Sequence, residues 1–146
     1  MTRIDRTRLE NGVFPHRCQI ATRFSDLDQI GHVNNVAAAE ILQEGRALFV
    51  RAAGLLTGDP RPQVVVASSL IEFASDLLSP DPVEVSTGLL EIGRTSFRLG
   101  QIARQGSSIG LYAEIVQVLR DVRGPLPIPA DWRTKLESLK INSAER

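Results

Sequence analysis

Residues Cys18, Ile20, Thr22 and Phe24 alternate with Gln19, Ala21 and Arg23, the two-residue period of a strand over about 17–24. The period then changes. From Val33 to about Ala53 the positions Ala37, Ile41, Gly45, Leu48, Ala52 and Leu55 recur at steps of three and four, which predicts a helix with one buried face. Asn34 or Asn35 can cap its start by accepting a free backbone N–H, and Gly54 can stop it. A glycine inside a helix costs about 1 kcal/mol relative to alanine. Gly45, placed on the apolar face, therefore predicts close approach to something flat, such as a sheet.

Beyond the breaker-rich Thr57–Pro62 the chain changes character. Val64–Ala74 is apolar and β-branched in its first half and reads as a buried strand. After the turn Leu78–Pro82, Val83, Val85, Thr87 and Leu89 alternate with Glu84, Ser86 and Gly88. Gly93-Arg94 turns into a strand over Ser96–Arg104, and Gln105–Ser108 turns into a last strand over Ile109–Leu119. Links this short imply antiparallel neighbours. Pro125–Pro129 resists regular structure, and Trp132, Leu136 and Leu139 then space as a short amphipathic helix. The charged residues 1–16 lack a period and are expected to form a loosely held arm, with 124–146 as a tail. One helix cannot cover both faces of five strands. The economical solution is an α+β domain spanning 1–146, a long helix wrapped by a curved antiparallel five-stranded sheet.

Composition narrows the function classes. Seventeen basic and seventeen acidic residues cancel, which argues against a general nucleic-acid or membrane-surface binder. The single cysteine, Cys18, excludes an internal disulfide and a cysteine-cluster metal site, and fits a reducing cytoplasm. The first ten residues lack the apolar core of a signal peptide, and no apolar run approaches the ~20 residues of a membrane helix. A soluble cytoplasmic protein with no membrane partner is expected.

Chemistry concentrates in Arg23–Asn35, Arg-Phe-Ser-Asp-Leu-Asp-Gln-Ile-Gly-His-Val-Asn-Asn. Two carboxylates, an imidazole, a glycine and two amides lie between a strand and a helix start, an order that aims polar groups at a ligand. Asp26, Asp28 and His32 can contribute to a mixed oxygen–nitrogen metal site, but no further ligand cluster accompanies them and His16 is the other histidine, so no metal or cofactor is expected. There is no Gly-x-Ser-x-Gly elbow and no phosphate-cradling glycine motif.

This order, with Asp-x-Asp-x-x-Gly-His-Val-Asn-Asn between the first strand and the long helix, resembles the hotdog-fold acyl-CoA thioesterases over roughly residues 17–120, most closely their 4-hydroxybenzoyl-CoA thioesterase-like branch. The matching positions are Phe24, Asp26, Asp28, Gly31, His32, Asn34 and Asn35, then Glu44 and Arg46, Pro80, and Ser96 after Ile92-Gly93-Arg94. Where the family commonly has aromatic residues three and six places after the second asparagine, this chain has Ala38 and Ile41.

The resemblance implies a hotdog fold and hydrolysis of an acyl-CoA to free acid and CoA, with Asp28 as the catalytic carboxylate, acting as nucleophile or as general base on water. An N–H near Asn35, at the positive end of the helix, would hold the developing oxyanion. Asp26 is expected to brace the turn. His32 can orient the carboxylate, hold the thioester or shuttle a proton, or it can be structural. Asn34 is expected to position water, and Ser96 and Arg94 to meet substrate. Glu44 is counted with the substrate-binding residues, as a group supporting the site; in other branches of the superfamily it is the catalytic acid, and the ordinary account makes it a helix-surface glutamate. The phosphates of CoA call for a basic rim, for which Arg61, Arg94, Arg98 and Arg104 are candidates. The family pairs its sheets with active sites at the interface, so a homodimer or homotetramer is expected. The alternatives are a non-catalytic acyl-thioester binder on the same fold and a thioesterase acting on acyl-carrier proteins.

Overall fold

The structure is a computed structural model that describes residues 3–55 and 63–144. The expected Thr57–Pro62 turn and Arg61 lie outside the described residues. Five long strands run antiparallel in the order β2 (His16–Ile20), β4 (Val83–Ile92), β5 (Ser96–Gln105), β6 (Ser108–Asp121), β3 (Gln63–Phe73). The helix α2 (Asn35–Ala52) lies against one face of this curled sheet. This is the hotdog arrangement, and apart from the first strand its long elements lie close to the boundaries expected from the periodicity. A two-residue strand β7 (Gly124–Pro125) extends β6 as an additional pairing.

Alternation decides which side chains face the helix. Val83, Val85, Ala113 and Ile115 come from every second position of their strands and form one cluster with Ile41 and Leu42 of α2. Gly45 fits the same logic. A Cβ there would stand 2.5 Å from Cγ1 of Val85, so the glycine lets the helix backbone settle directly on β4. A second cluster, built from Phe49, Phe97, Trp132 and Leu136, closes the far end of the helix. Its last two members belong to α3 (Ala130–Glu137), the short amphipathic helix expected near the C-terminus. Leu139 lies just past it and joins the backbone to β4 through its carbonyl, which accepts the Leu89 N–H at 2.8 Å.

Three expectations are corrected. The N-terminal residues are not a loose arm: α1 (Arg6–Glu10) and β1 (Gly12–Val13) dock on the outer face of the sheet. Ile4, Leu9 and Phe14 are buried there with Ile102, Tyr112 and Ile141, and β1 pairs with β8 (Asn142–Ser143). Gly88 and Gly100 make room, since a Cβ at either would strike Ile141. Five helical residues are too few to display a period, which hides this segment in the sequence.

The second correction concerns β3. Its β-branched run suggests a strand covered on both sides, yet it sits at the sheet edge with β6 as its one ladder neighbour. Val66 is 47% exposed and Phe73 53%. Third, the first strand ends at Ile20. Phe24–Asp26 instead forms a 3-10 turn, because the Asp26 carboxylate folds back onto Arg23.

Candidate functional site

The Arg23–Asn35 segment folds around two aspartates with different tasks. Asp26 is buried and accepts the Arg23 N–H at 2.8 Å and its Nη2 at 2.8 Å. The bonds from Arg23 hold the Asp26 carboxyl below its ordinary range, against the opposing pull of burial. Its backbone C=O accepts the Asn34 N–H at 2.8 Å, tying the turn to the helix start. Asp26 is the brace.

Asp28 is exposed at the turn's outer side, only partly covered by its neighbours. Its Oδ1 accepts the N–H groups of Ile30 (3.0 Å) and His32 (3.1 Å), while its own N–H donates to the His32 C=O at 2.8 Å. Gly31 closes the turn at φ +85°, a conformation that side chains with a Cβ rarely adopt. Oδ2 has no hydrogen-bond partner among the described residues. One oxygen of Asp28 therefore builds the turn and the other remains open. His32 is half-buried, with Nδ1 3.4 Å from Oδ2 of Asp76.

Asn34 is the helix cap, its Oδ1 accepting the Ala37 N–H at 2.8 Å, and Asn35 is the first helical residue. The oxygen of Asn34 is thus engaged by the helix, and the Asn35 side chain is left uncommitted. The N–H groups of Asn35 and Val36 have no acceptor among the described residues, as expected in a first helical turn. They carry the positive end of the α2 dipole.

Asp28 and Asn35 stand on a shared ridge. On one side lies a cavity of about 220 Å³ whose wall includes His32, Ala38, Phe73, Asp76 and Leu111. On the other side an open depression is lined by Arg23, Ser25, Asn34, Val36 and Glu40. Phe24, Ile30 and Val36, at 90%, 74% and 70% exposure, leave an apolar rim uncovered in the single protomer.

Other expected site residues are elsewhere. Glu44 is exposed on α2, outside both walls, about 13 Å beyond Asn35 along the helix. The Asp28 loop borders Leu78, whose N–H donates to Gln105 Oε1 at 2.9 Å. Ser96 is at the other end of β5, about 30 Å away by strand rise, and Arg94 sits in the adjoining turn with its C=O accepting the Ile128 N–H. Neither approaches Asp28 within one protomer. Arg98 pairs with Glu91 and Glu114. Asp76 and Phe73 belong to the site and were missed. They lie at and just beyond the end of β3, some forty residues from the motif, and only the fold brings them to His32.

No group of three or more His, Cys, Asp or Glu side chains able to hold a metal occurs among the described residues. No described helix is long and apolar enough to cross a membrane.

Residues 22–136 match the thioesterase-like superfamily. The chain belongs to that superfamily. A thioesterase from Thermus thermophilus, solved with coenzyme A and zinc, is 25% identical with a TM-score of 0.76, covering 87% of this chain and 95% of its own. A predicted thioesterase from Bacillus stearothermophilus is 26% identical with a TM-score of 0.78, covering 85% and 95%. A thioesterase-superfamily structure from Jannaschia, 22% identical with a TM-score of 0.78 and coverage of 90% and 86%, shares the fold. No curated protein matches the chain in sequence. Superfamily membership and thioesterase neighbours support thioester hydrolysis as the general activity of this thioesterase-like chain.

Proposed function

We propose that this chain is a cytoplasmic acyl-CoA thioesterase of the 4-hydroxybenzoyl-CoA thioesterase-like branch, with Asp28 as its catalytic carboxylate. The observation that carries this is the open Oδ2 of Asp28 beside the unpartnered Asn35 N–H, both at a cavity wall. A thioester carbonyl oxygen seated on the Asn35 N–H is polarised by the helix terminus. Asp28 Oδ2 then attacks the carbonyl carbon, or takes a proton from a water that attacks it. Collapse of the tetrahedral intermediate breaks the carbon–sulfur bond and releases CoA thiolate. In the first route water then opens the acyl anhydride and regenerates the carboxylate. Either way water supplies the oxygen of the free acid. His32, beside Asp76, closes the cavity wall. The coenzyme A bound by the Thermus thermophilus neighbour supports a CoA carrier.

The apolar rim and the eleven-residue edge strand β3 support a homodimer formed by β3 pairing with its copy. Antiparallel pairing brings the Gln63 end of one β3 beside the Phe73 end of the other. The partner's Arg94 and Ser96, which lie at the Gln63 end, then approach this protomer's Asp28. That arrangement gives the two distant residues a role at the site.

The test is hydrolysis of an acyl-CoA panel, read as free thiol, comparing wild type with Asp28→Asn. Loss of turnover in a folded variant supports Asp28; persistent turnover overturns its role. The turn-building Oδ1 of Asp28 favours one second reading, an acyl-thioester binder that does no chemistry. Acyl-CoA binding without turnover in wild type would establish it.

A further inference from the structure

A second cavity, of about 250 Å³, opens between α2 and β3 on the same side of the helix as the Asp28 site. Most of its wall is apolar: Ala47, Val50, Val64 and Val66. The exceptions are Gln43, exposed on α2, and the buried Arg46 and Gln117, 6% and 8% exposed. The Nη1 of Arg46 donates to Gln101 Oε1 at 3.0 Å. Gln101 in turn donates through Nε2 to the Leu42 C=O (3.0 Å) and Thr87 Oγ1 (3.1 Å). Every member of this network except the guanidinium is neutral. No carboxylate lies within ion-pair distance of Arg46 among the described residues, and its Nε and Nη2 have no hydrogen-bond partner there. Gln117 Oε1 is fully buried and also lacks one.

A buried cation with only neutral partners has an uncompensated charge, and such charges in folded proteins are paired. The arrangement is that of a receptor: an apolar passage ending in a forked donor that fits a carboxylate in two-point contact. The Gln117 amide can turn its NH₂ toward the same oxygens. The cavity has room for about eight waters, enough for the end of an acyl chain.

We infer that this cavity receives a carboxylate at the distal end of the acyl group, making the preferred substrates CoA thioesters of dicarboxylic acids. This rests on the acyl-CoA hydrolase reading above. Arg46 is about 16 Å from Asn35 along α2, and in the antiparallel β3 pair the same cavity adjoins the partner's Asp28 loop. The acyl chain runs between the thioester site and Arg46, with its apolar stretch along Val64 and Val66.

The experiment pairs ω-carboxylated acyl-CoAs with neutral ones of equal length: succinyl, glutaryl, adipyl and sebacyl against butyryl, valeryl, hexanoyl and decanoyl. At the best length, kcat/KM for the carboxylated member exceeds that of its neutral partner by about tenfold or more. Arg46→Met brings that ratio to about one, and Arg46→Lys, which keeps the charge without the fork, retains part of it. Equal or faster turnover of the neutral member at every length overturns the inference while leaving the hydrolase reading standing. A second arm is independent of turnover: hexanoate, but not hexanamide, raises the thermal midpoint of wild type and not of folded Arg46→Met. If no thioester is turned over, the hydrolase reading falls. The hexanoate arm alone then decides the carboxylate site, and equal shifts in wild type and Arg46→Met overturn it.

Discussion

Asp28 and His32 are joined in both directions: the Asp28 carboxylate accepts the His32 N–H at 3.1 Å, and the Asp28 N–H donates to the His32 carbonyl at 2.8 Å. The same carboxylate that is proposed to do chemistry also holds the turn. Asp28→Asn separates these tasks, because an amide Oδ1 still accepts both backbone N–H groups while the negative Oδ2 is gone. The expected outcome is a fall in kcat of about 10²–10⁴ with the unfolding midpoint nearly unchanged. Asp28→Ala should lose the same activity and also destabilise the fold by about 1 kcal/mol, through two unanswered N–H groups. Thiol release and urea unfolding on both variants check this, and an active Asp28→Asn would remove Asp28 from the mechanism.

Gly45 faces Val85 at a distance that leaves no room for a methyl group, its added Cβ falling 2.5 Å from Cγ1. Alanine favours a helix by about 1 kcal/mol over glycine, but forcing a methyl into a packed interface costs about 1–3 kcal/mol. The clash is with a β-branched side chain on a strand, which cannot swing aside cheaply. Gly45→Ala should therefore be destabilising, by up to about 2 kcal/mol in chemical denaturation. Adding Val85→Ala should recover part of that loss, so the double variant is less destabilised than the sum of the singles. Strict additivity would mean that the contact does not set the helix height.

These two sites show what a sequence discloses. The Asp28 turn and the Gly45 contact were legible because their signals are local: a polar run ahead of a helix, and a glycine on an apolar stripe. Asp76, Phe73 and Gln117 carry no such mark, and become site residues only when β3 and β6 fold against α2. The docked N-terminus was hidden for a related reason. Leu9 gains its meaning from Gly100, far along the chain, which leaves a hollow on the sheet where Leu9 and Ile141 settle. The edge position of β3 was obscured because a β-branched run has the same composition whether a strand of its own sheet covers it on both sides or on one.

The cap of α2 offers a test of the oxyanion site that leaves Asp28 untouched. Asn34→Ala removes the acceptor of the Ala37 N–H, and should cost about 0.5–2 kcal/mol of stability. Asn34→Ser and Asn34→Asp both restore an acceptor and should preserve the fold. They differ in charge. An aspartate beside the Asn35 N–H opposes a developing oxyanion, so Asn34→Asp should slow turnover well below Asn34→Ser at equal stability. Equal rates in the two variants would argue that the oxyanion is held elsewhere.

Asp26 predicts an acid limit to the fold. Its carboxyl is held below the ordinary 3.8 chiefly by the Arg23 side chain, so the unfolded chain binds the proton more readily than the folded one. The stabilisation is thus fully present above about pH 4 and is lost as the pH falls through the lower folded value. Urea midpoints for wild type should decline over this acid window, and Asp26→Asn should be less stable at neutral pH and decline less. Arg23 is 65% exposed, so added salt should weaken the ion-pair part of the effect. The backbone bond from the Arg23 N–H to Oδ2 should persist in salt, because it lies on the buried side of the turn. Loss of Asp26 also loosens the segment that sets Asn34 through the Asp26 carbonyl, so Asp26→Asn should reduce thioester turnover further than its stability change explains. A variant with wild-type turnover at neutral pH would confine Asp26 to stability alone.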